Sequence, residues 1–460
     1  MFSEFLKSSI SHDFFPSILN PQASTTLAVL HQLENSQWLD IKEFNKLQMK
    51  QLRTVLAHAA DTVPYYQSVF KELGIDQLPQ ELDDNFLRQL PILTRDITQN
   101  VELQLISRNI PKDHGKHKKM KTSGSSGTPV SILGTELTLF YWCIFVLRDH
   151  IWQKRDFSKQ LAVIRLGPKH DGMPPAGTTS QAWGVANITF STGPSHFLNI
   201  ASPLEDQITW LQKINPEYLL SFPSNLIALA DYAISNNIQL DNLLEVSTIG
   251  ETVTDILRKK VREAWGVSVK DVYTCEEAGY IAIQCPDHDH YHIQSENVFV
   301  EIVDDDGNPC QQGEVGHLLI TTLHNFATPL IRYELGDMAE WGGPCSCGRN
   351  LPVLKKIHGR KRNRLILPDG RSEFPYLGEY DQFKKITDKK PKQFQFIQKS
   401  TEVIELKLVI DLPLNAKEEA GYAKQIQENF GHPFKVIFSY PDFIPKKANG
   451  KFEEFVCEVQ

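Results

Sequence analysis

The stretch that decides the fold is Lys121-Thr-Ser-Gly-Ser-Ser-Gly-Thr-Pro129. It places two glycines and five hydroxyl-bearing residues within nine positions. Glycine lets the backbone approach a ligand closely, and consecutive amide groups can form a concavity that binds anions. The stretch therefore predicts a phosphate-binding loop, with a flexible serine–glycine linker as the alternative. It is not a Walker loop, because no Gly-Lys-Ser/Thr follows at the required spacing.

The flanks of this loop support phosphate binding. Four lysines precede it, at Lys116, Lys118, Lys119 and Lys121. This basic run is either a solvated loop or a basic approach to an anionic ligand. A helix is predicted after the loop, over residues 136–152. Its apolar part is about a dozen residues long, whereas a bilayer span needs about 20, so we expect a buried helix and no membrane span.

The whole chain has the composition of an ordinary globular protein. It has 460 residues and a formal net charge of −8. The length indicates two or three domains, or one large domain with an appendage. The acidic balance argues against a nucleic-acid partner. The N-terminus lacks the pattern of a secretory signal, and seven scattered cysteines predict no disulfide framework, so we expect a cytoplasmic protein.

The order of predicted elements indicates an α/β fold. Residues 1 to about 110 have helical periodicity, and from about 160 short apolar runs alternate with helical stretches, which predicts a mostly parallel sheet. Strands dominate after about 296, and the last 90 or so residues form a small α+β unit. We predict a large multi-layer N-terminal domain of helices and β-sheets over residues 1–362, with a small C-terminal domain over 363–460.

Four segments follow the hydroxyl-rich loop in order. They are Tyr273-Thr-Cys-Glu-Glu277, Ile331-Arg-Tyr-Glu-Leu-Gly-Asp337, Ile357-His-Gly-Arg-Lys361 and Ile444-Pro-Lys-Lys-Ala-Asn-Gly-Lys451. The ordered set resembles the motifs of adenylate-forming (AMP-binding) enzymes, which include acyl- and aryl-CoA ligases, luciferases and peptide-synthetase adenylation domains. Stretches 52–70, 221–230, 246–253 and 323–337 resemble the phenylacetate-CoA ligase-like group, including its capsule-associated CapK-like proteins. The resemblance covers nearly the whole chain.

The resemblance implies a nucleotide site. The phosphates of ATP would contact the hydroxyl-rich loop at Thr122, Ser123, Gly124, Ser125, Ser126, Gly127 and Thr128. Tyr273 would pack on the adenine, and Asp337 would accept hydrogen bonds from the ribose hydroxyls. Arg360 would contact ribose or phosphate, while Gly250 and Glu251 would line the pocket. Taken alone, Tyr273 could be a core aromatic, Asp337 a turn residue and Arg360 a surface cation.

Two catalytic roles also follow from the resemblance. Glu277 would help to hold Mg²⁺, which prefers carboxylate and phosphate oxygens. Lys451 would reach the carboxylate and the α-phosphate, supplied by a small C-terminal domain that is mobile. The reaction joins two anions, a carboxylate and a phosphate. Its catalysis therefore requires that the reactants are positioned and that their charge is neutralised.

Three residues depart from the family pattern. Thr274 replaces the glycine that follows the tyrosine, and Glu276 stands where threonine or serine is usual. Asn363 stands where an acidic residue is common in the hinge segment. These departures bear on the metal contacts and on the domain rotation.

A second constellation predicts a structural zinc site. Thiolates and imidazoles suit tetrahedral Zn²⁺, and four protein ligands close its coordination shell. We expect Cys285, Cys345, Cys347 and one histidine as ligands, with His292 as the first choice and His288 as the second. The alternative is a set of reduced surface cysteines beside an incidental histidine cluster.

The function predicted is ATP-dependent activation of a carboxylic acid to acyl-AMP, with release of pyrophosphate and transfer to a thiol, most simply CoA. The alternatives are transfer to an amine, a hydroxyl or a carrier-protein thiol, and a catalytically weak zinc-stabilised nucleotide-binding protein. The oligomeric state is left open, with a dimer as one alternative. Trp183, Phe190 and Phe222 are either walls of the acid pocket or core residues.

Overall fold

Helices dominate the first hundred residues of the protein. The computed structural model describes residues 3–11, 14–121, 130–168, 170–360, 363–377, 383, 385–389, 391–446 and 451–459. The helices of this region are α1 (Pro21–Ser36), α2 (Ile41–Thr62), α3 (Pro64–Glu72), α4 (Asp84–Gln89) and α5 (Arg95–Asn100). Asn20 and Asp40 cap α1 and α2 with their side-chain oxygens, which satisfies amides that a helix start leaves free. Short 3₁₀ turns cover Ser3–Phe5, Glu102–Leu105, Lys112–His114 and Gly184–Ile188.

A hairpin and a long helix follow. Strands β1 (His117–Lys121) and β2 (Ser131–Thr135) pair antiparallel, so Lys121 lies opposite Ser131. Helix α6 (Glu136–Trp152) begins with a capping box between Thr135 and Thr138. Its bounds are those expected from the sequence, and its buried residues pack in one core with residues of the sheet.

A twelve-stranded mixed sheet forms the centre of the molecule. Its strands are β3 (Leu161–Arg165), β4 (Thr178–Ser180), β5 (Ser195–Asn199), β6 (Tyr218–Ser221), β7 (Glu245–Thr248), β8 (Ser268–Cys275), β9 (Gly279–Gln284), β10 (Tyr291–Ile293), β11 (Val298–Val303), β12 (Val315–Thr322), β13 (Tyr333–Trp341) and β14 (Val353–Arg360). Their spatial order is β11-β12-β13-β14-β10-β9-β8-β7-β6-β3-β5-β4. Strands β5, β3, β6, β7 and β8 are parallel neighbours.

Crossover helices cover the parallel half of this sheet. They are α7 (Leu204–Ile214), α8 (Pro223–Asn236) and α9 (Asp255–Trp265). In α9, the buried residues Leu257, Val261 and Ala264 recur at helical spacing and pack against the sheet. The antiparallel half is formed from β9 to β14, and its core continues onto helices α2 and α3.

A second, smaller core lies at the C-terminal end of the chain. Strands β15 (Leu365–Ile366) and β16 (Ser372–Glu373) precede a sheet of β17 (Gln393–Ser400), β18 (Val403–Val409), β19 (Lys435–Ser439) and β20 (Phe455–Cys457), in the order β19-β18-β17-β20. Helix α10 (Ala416–Phe430) packs on it through Tyr422, Ile426 and Phe430. Leu365 belongs to the same core.

The predicted fold class is confirmed. The sheet is mixed α/β, the N-terminal region is helical, and a small α+β unit closes the chain. The boundary at residues 362 and 363 stays a prediction. Among the helices of the described residues, none combines the length and the apolarity that a membrane crossing needs.

A buried carboxyl group joins three strands of the sheet. Asp271 on β8 accepts a hydrogen bond from the Thr248 hydroxyl at 2.6 Å and from the Tyr291 hydroxyl at 2.7 Å. Burial raises the pKa of Asp271 to about 6, although both hydrogen bonds favour its ionised form.

We expect the variant Asp271→Asn to change how stability depends on pH. The unfolded pKa of aspartate is about 3.9, so folded Asp271 holds more protons than unfolded Asp271 between about pH 4 and 6. The stability of the parent chain relative to the variant should therefore fall by about 2–3 kcal/mol as pH rises from 4 to 7. Urea unfolding of both proteins at several pH values measures this, and a difference independent of pH would contradict it.

Candidate functional site

The predicted phosphate loop lies outside the described residues. This holds for Thr122, Ser123, Gly124, Ser125, Ser126, Gly127 and Thr128. Its flanking strands are well defined, since β1 and β2 pair along their whole length. The Leu133 amide donates to the Thr328 hydroxyl at 3.0 Å, which ties this hairpin to the segment that leads into β13.

Three of the predicted nucleotide-site residues form one polar cluster. Asp337 on β13 is the direct cross-strand partner of Arg360 on β14. The Arg360 Nε lies 3.1 Å from Asp337 Oδ1, and the Tyr273 hydroxyl donates to Asp337 Oδ2 at 2.6 Å. Because of Asp337, the pKa of Arg360 is raised despite burial. The pairing of the strands thus brings Asp337 and Arg360 next to Tyr273, although they follow it by 64 and 87 positions in the sequence.

Glu277 lies beside this cluster, and its neighbour Glu276 does not. Glu277 is 8% exposed, and Tyr333 donates to its Oε1 at 3.4 Å. Burial raises the pKa of Glu277, while the charges of Arg360 and Arg95 oppose the shift. Glu276 is exposed. Glu277 is therefore buried and Glu276 faces solvent, and the buried one is the residue predicted to bind Mg²⁺.

Lys451 of the C-terminal unit lies against the end of β7. Gly250 there has a φ of +77°, and a Cβ on it would lie 3.1 Å from Lys451 Cε and 3.2 Å from Phe222 Cε1. Glycine is favoured by the backbone conformation, and a Cβ there would press on both the lysine and Phe222. Burial and the Arg360 charge lower the pKa of Lys451, whereas Asp337, Glu251 and Glu276 raise it.

Glu251 joins the two units of the chain. Its carboxylate accepts from the Ser224 amide at 2.8 Å and from the Phe452 amide at 2.7 Å. A cavity of about 370 Å³ adjoins this contact and is lined by Lys451 and Asn363 among others. The site therefore combines a cation from the small unit with a buried carboxylate and the Tyr273 cluster from the large one.

The three aromatic residues considered as pocket walls have different surroundings. Phe157 stacks on Phe190 with ring centroids 4.8 Å apart and meets the Trp183 ring at 5.6 Å. Trp183 and Phe190 are 3% and 1% exposed, so they are core residues. Phe222 lies beside Gly250 and is the one of the three that is next to the lysine.

The predicted metal ligands lie together in the structure. Ligand atoms of Cys285, His292, Cys345 and Cys347 all lie within 4.8 Å of one another. The two sulfurs of Cys285 and Cys345 are 3.8 Å apart, and Cys347 Sγ is 3.3 Å from His292 Nε2. A tetrahedral zinc with Zn–S bonds of about 2.3 Å would set sulfur–sulfur edges of about 3.8 Å.

Hydrogen bonds near the cluster orient the His292 ring towards the cysteines and hold the His288 ring against a serine outside the cluster. His292 is fully buried, and its Nδ1 lies 3.4 Å from the Leu351 carbonyl, so Nε2 is directed at Cys347. His288 instead pairs with the Ser346 hydroxyl at 2.8 Å, and His290 Nε2 lies 3.0 Å from Cys345 Sγ. The first-choice histidine is thus the one within the four-residue cluster.

Two contributors were not anticipated from the sequence. Arg95, at the start of α5, acts electrostatically on Glu277 and Tyr333. It is brought there because Leu93 forms a β-bridge with Tyr333, a pairing across about 240 residues. No local motif indicates such a contact. Tyr333 lies in the segment from Ile331 to Asp337 that resembles a family motif. That resemblance was the sequence signal from which its role could have been predicted.

Comparison with known proteins supports the sequence-based recognition. Residues 378–458 match the CapK C-terminal domain. The chain is 26% identical to the phenylacetate-coenzyme A ligase of Thermus thermophilus over 335 residues, which are 71% of this chain and 72% of that one. It is 26% identical to the phenylacetate-coenzyme A ligase of Escherichia coli over 355 residues, covering 75% and 77%.

The fold is that of a solved 2-hydroxyisobutyryl-CoA ligase. The two share 16% identity over 92% of each chain, with a TM-score of 0.70 for the postadenylation state. For the thioesterification state of the same enzyme, the TM-score is 0.58. The relatives and the C-terminal family match confirm the predicted recognition and the prediction of a ligase-type enzyme.

We expect Tyr273→Phe to lower the free energy of unfolding by about 1.5–3 kcal/mol, because a half-buried carboxylate loses a charge-assisted hydrogen bond. Denaturant unfolding measures the change. Tyr232→Phe, at a half-buried tyrosine on α8, is the matched control. Equal stabilities of Tyr273→Phe and the parent chain would show that this bond does not hold the cluster.

Proposed function

We propose that this chain, a homologue of the phenylacetate-CoA ligases, activates a carboxylic acid as its acyl-AMP and then transfers the acyl group to CoA. The observation that carries the proposal is the docking of Lys451 at the end of β7, next to the Tyr273–Asp337–Arg360 cluster. The two bacterial relatives named above, which align with this chain over more than two thirds of their own length, are named as CoA ligases.

In the first half-reaction, a carboxylate oxygen of the acid attacks the α-phosphorus of ATP. A new P–O bond forms, the bond to the β-phosphate bridging oxygen breaks, and pyrophosphate leaves with the electron pair. Both reactants are anions, so the ammonium of Lys451 neutralises charge that accumulates on the α-phosphate. Asp337 is suited to the ribose hydroxyls, and Tyr273 offers a ring face to the adenine.

Mg²⁺ fits Glu277. A buried carboxylate with arginine charges on one side can supply the one protein oxygen that such an ion usually takes beside phosphate oxygens and water. When bound, the ion would neutralise phosphate charge. The hydroxyl-rich loop from Thr122 to Thr128 would supply donors to the same phosphates.

In the second half-reaction, the thiol of CoA releases its proton to solvent and its sulfur attacks the acyl carbonyl carbon of the acyl-AMP. The C–O bond to the phosphate breaks, and AMP leaves with its electron pair. Rotation of the small domain, proposed here as residues 363–460, would withdraw Lys451 and open the acyl carbon to the thiol. A carrier-protein thiol, an amine or a hydroxyl is the alternative acceptor. Aryl and fatty acids are the substrates to test first, and Phe222, which lies beside Gly250, would line the reacting end of their pocket.

We also propose that Cys285, His292, Cys345 and Cys347 bind one structural Zn²⁺. The donors are three sulfurs and one imidazole, and their spacing suits a tetrahedron. Cys285 follows β9, while Cys345 and Cys347 lie between β13 and β14. His292 pairs with Val353, seven residues before Arg360, or about 23 Å along β14. The ion would hold the far end of the strands without touching the nucleotide.

We expect Lys451→Ala to lower acid-dependent pyrophosphate release by about 10²- to 10³-fold, since a cation directed at developing charge is lost. A panel of aryl and fatty acids, including phenylacetate, is assayed with ATP and Mg²⁺. Lys435→Ala, at an exposed lysine on β19, is the control. ATP binding without pyrophosphate release for any acid would favour the catalytically weak nucleotide-binding protein instead.

We expect the purified chain to contain about one zinc ion per molecule, and His292→Asn to lose it, because a tetrahedral site needs all four ligands. His288→Asn is the matched control and should keep the metal. Elemental analysis gives the stoichiometry, and the thermal midpoint with and without a chelator gives the stabilisation. Loss of zinc in the His288 variant and retention in the His292 variant would reverse the assignment.

A further inference from the structure

We propose that Glu251 is a positioning residue whose carboxylate docks the small domain and so places Lys451, rather than a residue that contacts the nucleotide. This inference rests on the proposed function for its catalytic consequence. Its structural part, a contact between the two units of the chain, is independent of any reaction.

Both oxygens of the Glu251 carboxylate are occupied by the protein. Oε2 accepts from the Ser224 amide at 2.8 Å. Oε1 accepts from the Phe452 amide at 2.7 Å and from the Ser224 hydroxyl at 3.1 Å. These bonds take three of the about four acceptor positions of a carboxylate, which leaves little capacity for ribose or adenine groups.

The first of these bonds caps helix α8. The N-cap residue Phe222 has no side-chain oxygen, and Pro223 at the first helical position has no amide hydrogen. The amide of Ser224 is therefore the first donor of the helix, and Glu251 accepts it from a different loop. The positive end of the helix dipole favours a carboxylate at this position.

The second bond reaches across to the C-terminal unit. Phe452 directly follows Lys451, and the next residues are fixed to the small sheet. The Phe396 amide donates to the Glu454 carbonyl at 2.8 Å, and Gln395 Nε2 donates to the Glu453 carbonyl at 2.9 Å. A hydrogen bond at Phe452 therefore restrains the position of the whole small sheet, because the residues that follow Phe452 are bonded to that sheet.

Two lysines of the small unit attract the Glu251 carboxylate, whereas the buried Glu454 carboxyl of the same unit repels it. Burial lowers the pKa of Lys446, and the Glu251 carboxylate opposes this shift, as it does for Lys451. Glu251 is thus the anion that faces two lysines of the small domain. With the Phe452 amide bound, Lys451 Nζ stands 3.3 Å from where a Cβ of Gly250 would lie. Release of the same bond is required before the domain can rotate.

The experiment compares Glu251→Ala, Glu251→Gln and the parent chain. The control is Glu263→Ala, at an exposed glutamate on α9. Hydrogen exchange of the Phe452 amide is measured first, without substrates. We expect faster exchange in Glu251→Ala, a smaller increase in Glu251→Gln, which keeps one acceptor oxygen, and parental exchange in the control. Thermal midpoints verify that each variant is folded.

The two half-reactions are then measured separately, with the most active acid of the panel and its synthetic acyl-AMP. Glu251→Ala should lower kcat for pyrophosphate release by about 10- to 100-fold, because Lys451 is misplaced. The KM for ATP and the thioester formation from supplied acyl-AMP should stay near parental values, and Glu251→Gln should recover most of the rate.

Two results would overturn the inference. One is parental exchange at Phe452 in a folded Glu251→Ala variant. The other is a raised KM for ATP with an unchanged kcat, which would make Glu251 a nucleotide contact. If the parent chain releases no pyrophosphate with any acid, the proposed function fails, and the exchange measurement still decides whether Glu251 docks the domain.

Discussion

A hydrogen bond from the Phe452 amide to the Glu251 carboxylate joins two separately packed cores at the candidate site. Among the described residues, Lys446 and Lys451 belong to the smaller unit, whereas Glu251, Glu277, Asp337 and Arg360 belong to the larger one. The cation therefore reaches the site only when the cores dock. Gly250 makes this approach sterically allowed, because any side chain there would meet the lysine. The closed arrangement thus depends on one backbone amide, one carboxylate and one missing Cβ.

The large sheet supplies the fixed half of the site. Strand register sets Asp337 opposite Arg360, and β8 brings Tyr273 to the same carboxylate. The cysteine–histidine cluster lies at the opposite end of these strands, where it can stabilise the sheet without entering the chemistry. One end of these strands therefore holds the cysteine–histidine cluster, and the other end holds the charged residues of the candidate site. A metal ion held by this cluster, about 20 Å away, would preserve the register on which the polar cluster depends.

Much of the fold could be predicted from sequence. Helix α6 has the predicted bounds, because a long apolar run is a local signal. The parallel strands were recognisable as short apolar runs between helices. The grouping of Cys285 and His292 with Cys345 and Cys347 followed from ligand chemistry, and the ordered motifs placed Asp337, Arg360 and Lys451 in one site. Contacts that depend on tertiary structure were not accessible. Arg95 reaches Glu277 only through a β-bridge formed far along the chain. That Glu251 lines the nucleotide pocket stays a prediction, and its bonds to the Ser224 and Phe452 amides were not anticipated, because backbone amides carry no sequence signal.

The central claim is that the acid attacks the α-phosphorus of ATP at the site where Lys451 docks. The most direct measurement uses acids labelled with ¹⁸O in the carboxylate, turned over with ATP, Mg²⁺ and CoA, followed by mass spectrometry of the nucleotide product. Attack on the α-phosphorus predicts AMP that carries one ¹⁸O atom. Unlabelled AMP, or ADP as the product, would contradict the account.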